Sequence, residues 1–139
     1  MATAVDPSNA VQAAIVAALT GAPSVAALLP GGVHDEVPEG ETRDYVVVSD
    51  RLSLPDHTHT TFGRELTFTL HIWTRARGTK RGGAIAAAIT ALLDHTPDAL
   101  VVAGHRVVEI RNEFQQAVKD PDPSWRQVIL RFRINTTQE

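Results

Sequence analysis

Two stretches of the chain carry apolar residues at helical spacing. In the first, Val11, Ala14, Ile15, Ala18 and Leu19 fall at i, i+3, i+4, i+7 and i+8, one stripe along a helix. Asp6 precedes it as a cap and Pro7 as a first helical residue; Gly21 and Pro23 end it. Ser24 can cap a short second helix over 25–29, which Pro30-Gly31-Gly32 stops. In the other long stretch, Ile85, Ala88, Ile89, Leu92 and Leu93 repeat the spacing. They predict a helix over 80–93, with Thr79 as its cap and Pro97 as the limit to its extension.

The remaining apolar residues alternate, the period of a half-buried strand. Leu66, Phe68, Leu70 and Ile72 alternate with Thr67, Thr69, His71 and Trp73, and the first set should face the core. Val128, Leu130, Phe132 and Ile134 alternate with Gln127, Ile129, Arg131 and Arg133 in the same way. Val108, Ile110 and Phe114 alternate with Glu109, Arg111 and Glu113, leaving Asn112 as the one polar inward position. Tyr45-Val46-Val47-Val48 is continuous, as in a strand covered on both faces, and 33–37 reads as a short strand. The order helix, strands, helix, strands predicts an α+β two-layer sandwich: a mainly antiparallel sheet of about four strands with two main helices on one face. Residues 1–139 read as a single domain, with 1–6 as a flexible lead.

Composition narrows the function more than the fold. The 139 residues are 43% hydrophobic and 21% charged, an ordinary globular balance. With no cysteine there is no disulfide, thiolate zinc site or cysteine nucleophile. The net charge of −3 argues against a dedicated nucleic-acid binder. No signal peptide is expected from residues 1–9. The longest apolar run, residues 13–19, is too short to span a bilayer, so no membrane partner is expected.

Candidate chemistry is thin. Asp56, His57 and His59 form the densest metal-ligand cluster, and on an extended loop both histidines point one way. A zinc site needs a third and usually a fourth ligand, and no HExxH spacing supplies them. A polar loop tip is the plainer account of the cluster. Asp35 and Glu36 are adjacent, so on a strand they point to opposite faces and cannot converge on one bond. There is no GxSxG, no GxxxxGK[ST] and no GxGxxG. The expectation is a protein without catalytic residues, metal or cofactor.

Charge placement points instead to a surface. Arg75, Arg77, Lys80 and Arg81 crowd the start of the second long helix, where cations oppose the helix dipole at about 0.3–1 kcal/mol each. A solvated basic loop is the plain reading. The alternative is a docking patch for acids, and residues 35–44 hold five of them, including Asp35, Glu36 and Glu39. If those acids belong to a neighbouring copy, the contact is head-to-tail and closes into a ring when the rotation permits. Trp73, outward on its strand, and Arg131 and Arg133 on the last strand mark a face for another subunit, unless a loop of the same chain covers the tryptophan. Residues 50–63 exceed an ordinary loop and suggest a long hairpin arm whose outer part is strand. The arm, with Asp56, His57 and His59, and the loop with Asp120 and Asp122 are the other candidate contact sites.

The run ALTGAPSVAALLPGGVHDEVPEG (18–40), with Val33, Asp35 and Pro38 leading to Tyr45-Val46-Val47, resembles the phage tail-completion or tail-terminator family. LTFTLHIWTRARGTKRGGAIAAAITALLD (66–94) is similar to the family's strand ending in tryptophan, Gly-containing turn and Ala-rich helix, and VILRFRINT (128–136) to its last strand. The resemblance covers residues 11–136. Asp44 departs from it, standing where the family pattern has proline. The resemblance implies a virion subunit without catalytic residues, forming a hexameric ring with copies of itself. Such a ring caps the tail tube protein at the head-proximal end, meets the head connector or stopper protein, and passes DNA through its bore without specific binding. It implies assembly in the bacterial host cytoplasm and an arm reaching the tube or a neighbour. Other readings are a neck or tail-tube subunit of similar fold, a small metal-binding enzyme using His57 and His59, and a nucleic-acid binder using Trp73 and residues 75–81.

Overall fold

The computed structural model describes residues 3–75, 77–119, 122 and 124–139. Helix α1 (Ser8–Gly21) is followed by the short α2 (Pro23–Ala26) and a two-residue strand, β1 (Val33–His34). Strands β2 (Tyr45–Pro55) and β3 (Gly63–Thr74) form a hairpin, α3 (Lys80–Leu93) crosses over, and β4 (His105–Lys119) and β5 (Arg126–Gln138) form a second hairpin. The sheet has five strands in the order β1-β2-β3-β5-β4. Only the β1–β2 pair is parallel. The α+β class is as the periodicity predicts; beside the four main strands, the short strand expected over 33–37 is present as β1, reduced to two residues.

The stripes predicted to be apolar form the core. Val11, Ile15 and Leu19 of α1 and Ile85, Ile89 and Leu93 of α3 are at most 1% exposed. They pack with Leu66, Phe68, Leu70 and Ile72 of β3 and Val128, Leu130, Phe132 and Ile134 of β5. Burying each such side chain contributes about 1.5–3 kcal/mol. Gly82 brings α3 close to the sheet: a Cβ there would lie 2.7 Å from Val128 Cγ2.

Three local expectations are corrected. Tyr45 and Val47 are only half-buried while Val46 and Val48 are buried, because the helices cover one sheet face and leave the other open. On β4 the register slips by one residue between Val107 and Glu109 and again between Asn112 and Phe114. Each bulge reverses the side-chain parity. Val108 is therefore 50% exposed, and Phe114 lies opposite Arg131 on the open face. Thr79 caps α3 by position but its side chain makes no cap hydrogen bond. At α1, Asp6 accepts hydrogen bonds from the Ser8 backbone N–H (3.0 Å) and hydroxyl (2.5 Å). The Ser8 bonds are the main reason its carboxyl titrates below the usual range. In the lead, Val5 N–H donates to Gln138, Gln138 to Thr3, and Ser53 to Asp6. Met1 and Ala2 lie outside the described residues.

The expected arm is a strand extension. Leu52, Ser53 and Leu54 pair with Thr67, Leu66 and Glu65 beyond a bulge at residues 50–51, so the true loop is residues 56–62.

Candidate assembly interface

One end of the sheet gathers the charged and aromatic candidates. Arg81 at the start of α3 donates from Nε to Asp44 Oδ2 at 2.9 Å and from its amino group to the Leu28 carbonyl at 2.8 Å. The Arg75 backbone N–H donates to the other Asp44 oxygen at 3.1 Å. Asp44 therefore ties the β2 start, the β3 end and α3 together. Arg81, a candidate for pairing with a neighbour's acids, meets an acid of its own chain instead. The Arg75 guanidinium lies over the Trp125 ring, 4.7 Å from its centroid.

Trp73 sits on the open face, and the same chain partly covers it. Its ring lies 6.4 Å from Tyr45 and 6.4 Å from Trp125, which also meets Tyr45 edge-on at 5.5 Å. Trp125 follows the β4–β5 loop and belongs to no apolar period, so periodicity alone misses it.

The acidic segment divides in two. Glu41 accepts from the Arg43 backbone N–H (2.9 Å) and from its guanidinium (3.0 and 3.1 Å), and the side-chain bond above all holds its carboxyl down at about 2. Asp35, Glu36 and Glu39 are exposed and make no hydrogen bond or ion pair among the described residues. The same is true of Arg77 and Lys80 on the basic side. Opposite charges thus stand exposed on two separate loops.

The open sheet face is polar and largely paired within itself. Arg133 meets Glu109 at 3.0 Å and Glu65 at 3.7 Å, Arg111 meets Glu109 at 3.1 Å, and Arg131 lies over Phe114 at 5.1 Å. His71 bridges Asp50 (3.1 Å) and Gln127 (2.5 Å), which anchors the bulge where Asp50 has a φ of 50°. Leu52 and Leu54 of the arm remain 55% and 46% exposed.

The two predicted loop sites differ. In the arm tip, His57 accepts from the Gly63 N–H at 3.2 Å and packs edge-on against Phe62, so its ring serves the turn. Asp56 and His59 are exposed. Among the described residues no group of three or more His, Cys, Asp or Glu could hold a metal. Asp122 accepts from the Ser124 hydroxyl and N–H, which draw its carboxyl below the usual range. Asp120 lies outside the described residues.

A groove of about 890 Å³ runs between α1 and the outer edge of β2. Gln12, Val16 and Thr20 line one wall and Val48, Asp50 and Arg51 the other, with Asp35 at its β1 end. Neither helical nor strand periodicity reveals such a groove, because it lies where β1 stops short.

Comparisons with known proteins agree with this architecture. A search of curated protein sequences finds no match. A chain from the virion of a native gene transfer agent (GTA) particle shares the fold at a TM-score of 0.85 and 26% sequence identity, covering 96% of this chain and 99% of that one. The tail completion protein gp17 family matches residues 13–137. The chain belongs to that family and is a structural protein of a phage-like tail.

Proposed function

We propose that the protein is a tail terminator whose work is geometry. Copies join head-to-tail into a hexameric ring at the head-proximal end of the tail, capping the tail tube protein and offering its other face to the head connector or stopper protein. DNA passes through the bore without being held, as the net charge of −3 favours. The ring assembles in the bacterial host cytoplasm and catalyses nothing.

The observation that carries this reading is the full-length likeness to a chain of an assembled virion, at 99% coverage of that chain. Complementary exposed charge supports the head-to-tail contact. Asp35, Glu36 and Glu39 on one loop meet Arg77 and Lys80 of the next copy, with Arg75 and Trp73 beside them. Arg81 keeps its intrachain role. The tip bearing Asp56, His57 and His59, and the loop bearing Asp120 and Asp122, reach the tube or connector.

The test reverses the exposed cations. Arg77→Glu with Lys80→Glu should lower the elution size on size-exclusion chromatography while the melting temperature stays within the range of ordinary surface changes, about ±0.5 kcal/mol. An unchanged oligomer would remove this charge contact.

A further inference from the structure

The two edges of the sheet are incomplete in complementary ways. On β4 the first half of the edge is covered within the chain: His95 N–H donates to the Ile110 carbonyl at 2.9 Å and Asn112 N–H to the Asp94 carboxylate at 2.8 Å. Past the second bulge that cover ends. Residues 113–117 are exposed at every position, inward-facing Gln115 and Ala117 included, so no helix covers this half of the strand. On the other edge β1 pairs with β2 only at Val46 and Val47, and the rest of β2 borders the groove against α1. One edge therefore offers a strand without a cover, and the other a helix wall and a strand side without an occupant.

We propose that residues 113–117 of β4 lie in the groove between α1 and β2 of the next copy, in line with its β1. This rests on the ring reading and gives that contact its backbone. Strand direction alternates across β2, β3, β5 and β4, so β4 runs opposite to β2. A copy added by translation and rotation then sets β4 antiparallel to its neighbour's β2, as head-to-tail repetition requires. Backbone pairing supplies affinity in such strand addition, and side chains set the register. Gln115 and Ala117 come under the neighbour's α1, at Gln12 and Val16. Phe114, on the open face, comes beside the exposed Leu52, which lies on the open face of β2.

The cysteine-free chain allows a direct test. Four double variants of the full-length protein combine Arg51→Cys with Gln115→Cys or Ala117→Cys on the helix face, and Gln116→Cys with Ser49→Cys or Leu52→Cys on the open face. Within one chain, β3 and β5 separate the two edges by roughly three strand spacings of about 4.8 Å, too far for a disulfide, which needs Cα atoms within about 7 Å. At least one double variant should give covalent multimers, up to the full ring, on a non-reducing gel after mild oxidation, with each single variant mostly monomeric there. A single β4 variant that loses assembly while its melting temperature is unchanged also supports the contact. Rings of normal mass in which all four pairs stay uncrosslinked overturn it and leave the ring reading standing. Crosslinking of the β2 cysteine to the tube protein instead overturns it in favour of a different occupant. Wild-type protein that never assembles, alone or with tail tubes, overturns the ring reading first.

Discussion

The Asp44 carboxylate joins elements far apart in the sequence. It accepts from Arg81 and from the Arg75 backbone, holding the strand end against α3. The residue identities were legible in the sequence but this pairing was not, because Asp44 and Arg81 are 37 residues apart and only the crossover brings them together. The same limit applies to the acidic segment, where sequence shows five equivalent acids and the fold divides them. Glu41 shows the division most sharply. Its folded value of about 2 lies below the ordinary 4.5, so its ion pair with Arg43 favours the folded loop above pH 4.5 and is lost as the pH falls through about 2. A carboxyl NMR titration should place Glu41 near 2, and Arg43→Ala should return it toward 4.5. A midpoint already near 4.5 in the wild type would show that the pair does not persist in solution.

At the scale of elements, legibility followed regularity. β3 and β5 are unbroken over their apolar runs, and alternation placed every core residue on them correctly. β4 has the same kind of pattern, yet its first bulge turns Val108 outward and its second Phe114, and nothing in a period-two pattern announces an inserted residue. The α3 limits were legible because Pro97 and the apolar stripe agree, but its approach to the sheet was not. Gly82 and Gly83 look alike in sequence. Only Gly82 touches β5; a Cβ on Gly83 meets nothing within 4 Å. Gly83→Ala should therefore stabilise the protein by about 1 kcal/mol through helix propensity, raising Tm by roughly 3–5 °C. Gly82→Ala should lower Tm, since crowding a packed contact costs about 1–3 kcal/mol and exceeds the propensity gain. Thermal melts of the two variants check this; a rise for both would mean α3 sits farther from Val128 than described.

The whole molecule is asymmetric about its sheet. One face is closed by α1 and α3 over a single apolar cluster; the other is open, polar and tied by its own ion pairs. Exposed charges of opposite sign stand on two loops, and the two sheet edges are unfinished in complementary ways. Its exposed polar groups are distributed around a perimeter. That distribution suits a body that meets other copies of itself at its sides. The architecture was legible in sequence because it follows from periodicity, whereas the perimeter was legible only in part, since it depends on which charges the fold already pairs.

The central claim is that copies close into a ring and stop. Native mass spectrometry of the full-length protein, alone and mixed with its tail tube protein, measures this directly. One closed species of fixed subunit number, six, is expected in solution or on the tube end. A monomer that stays a monomer beside tail tubes, or an open series of ever longer polymers, would contradict it.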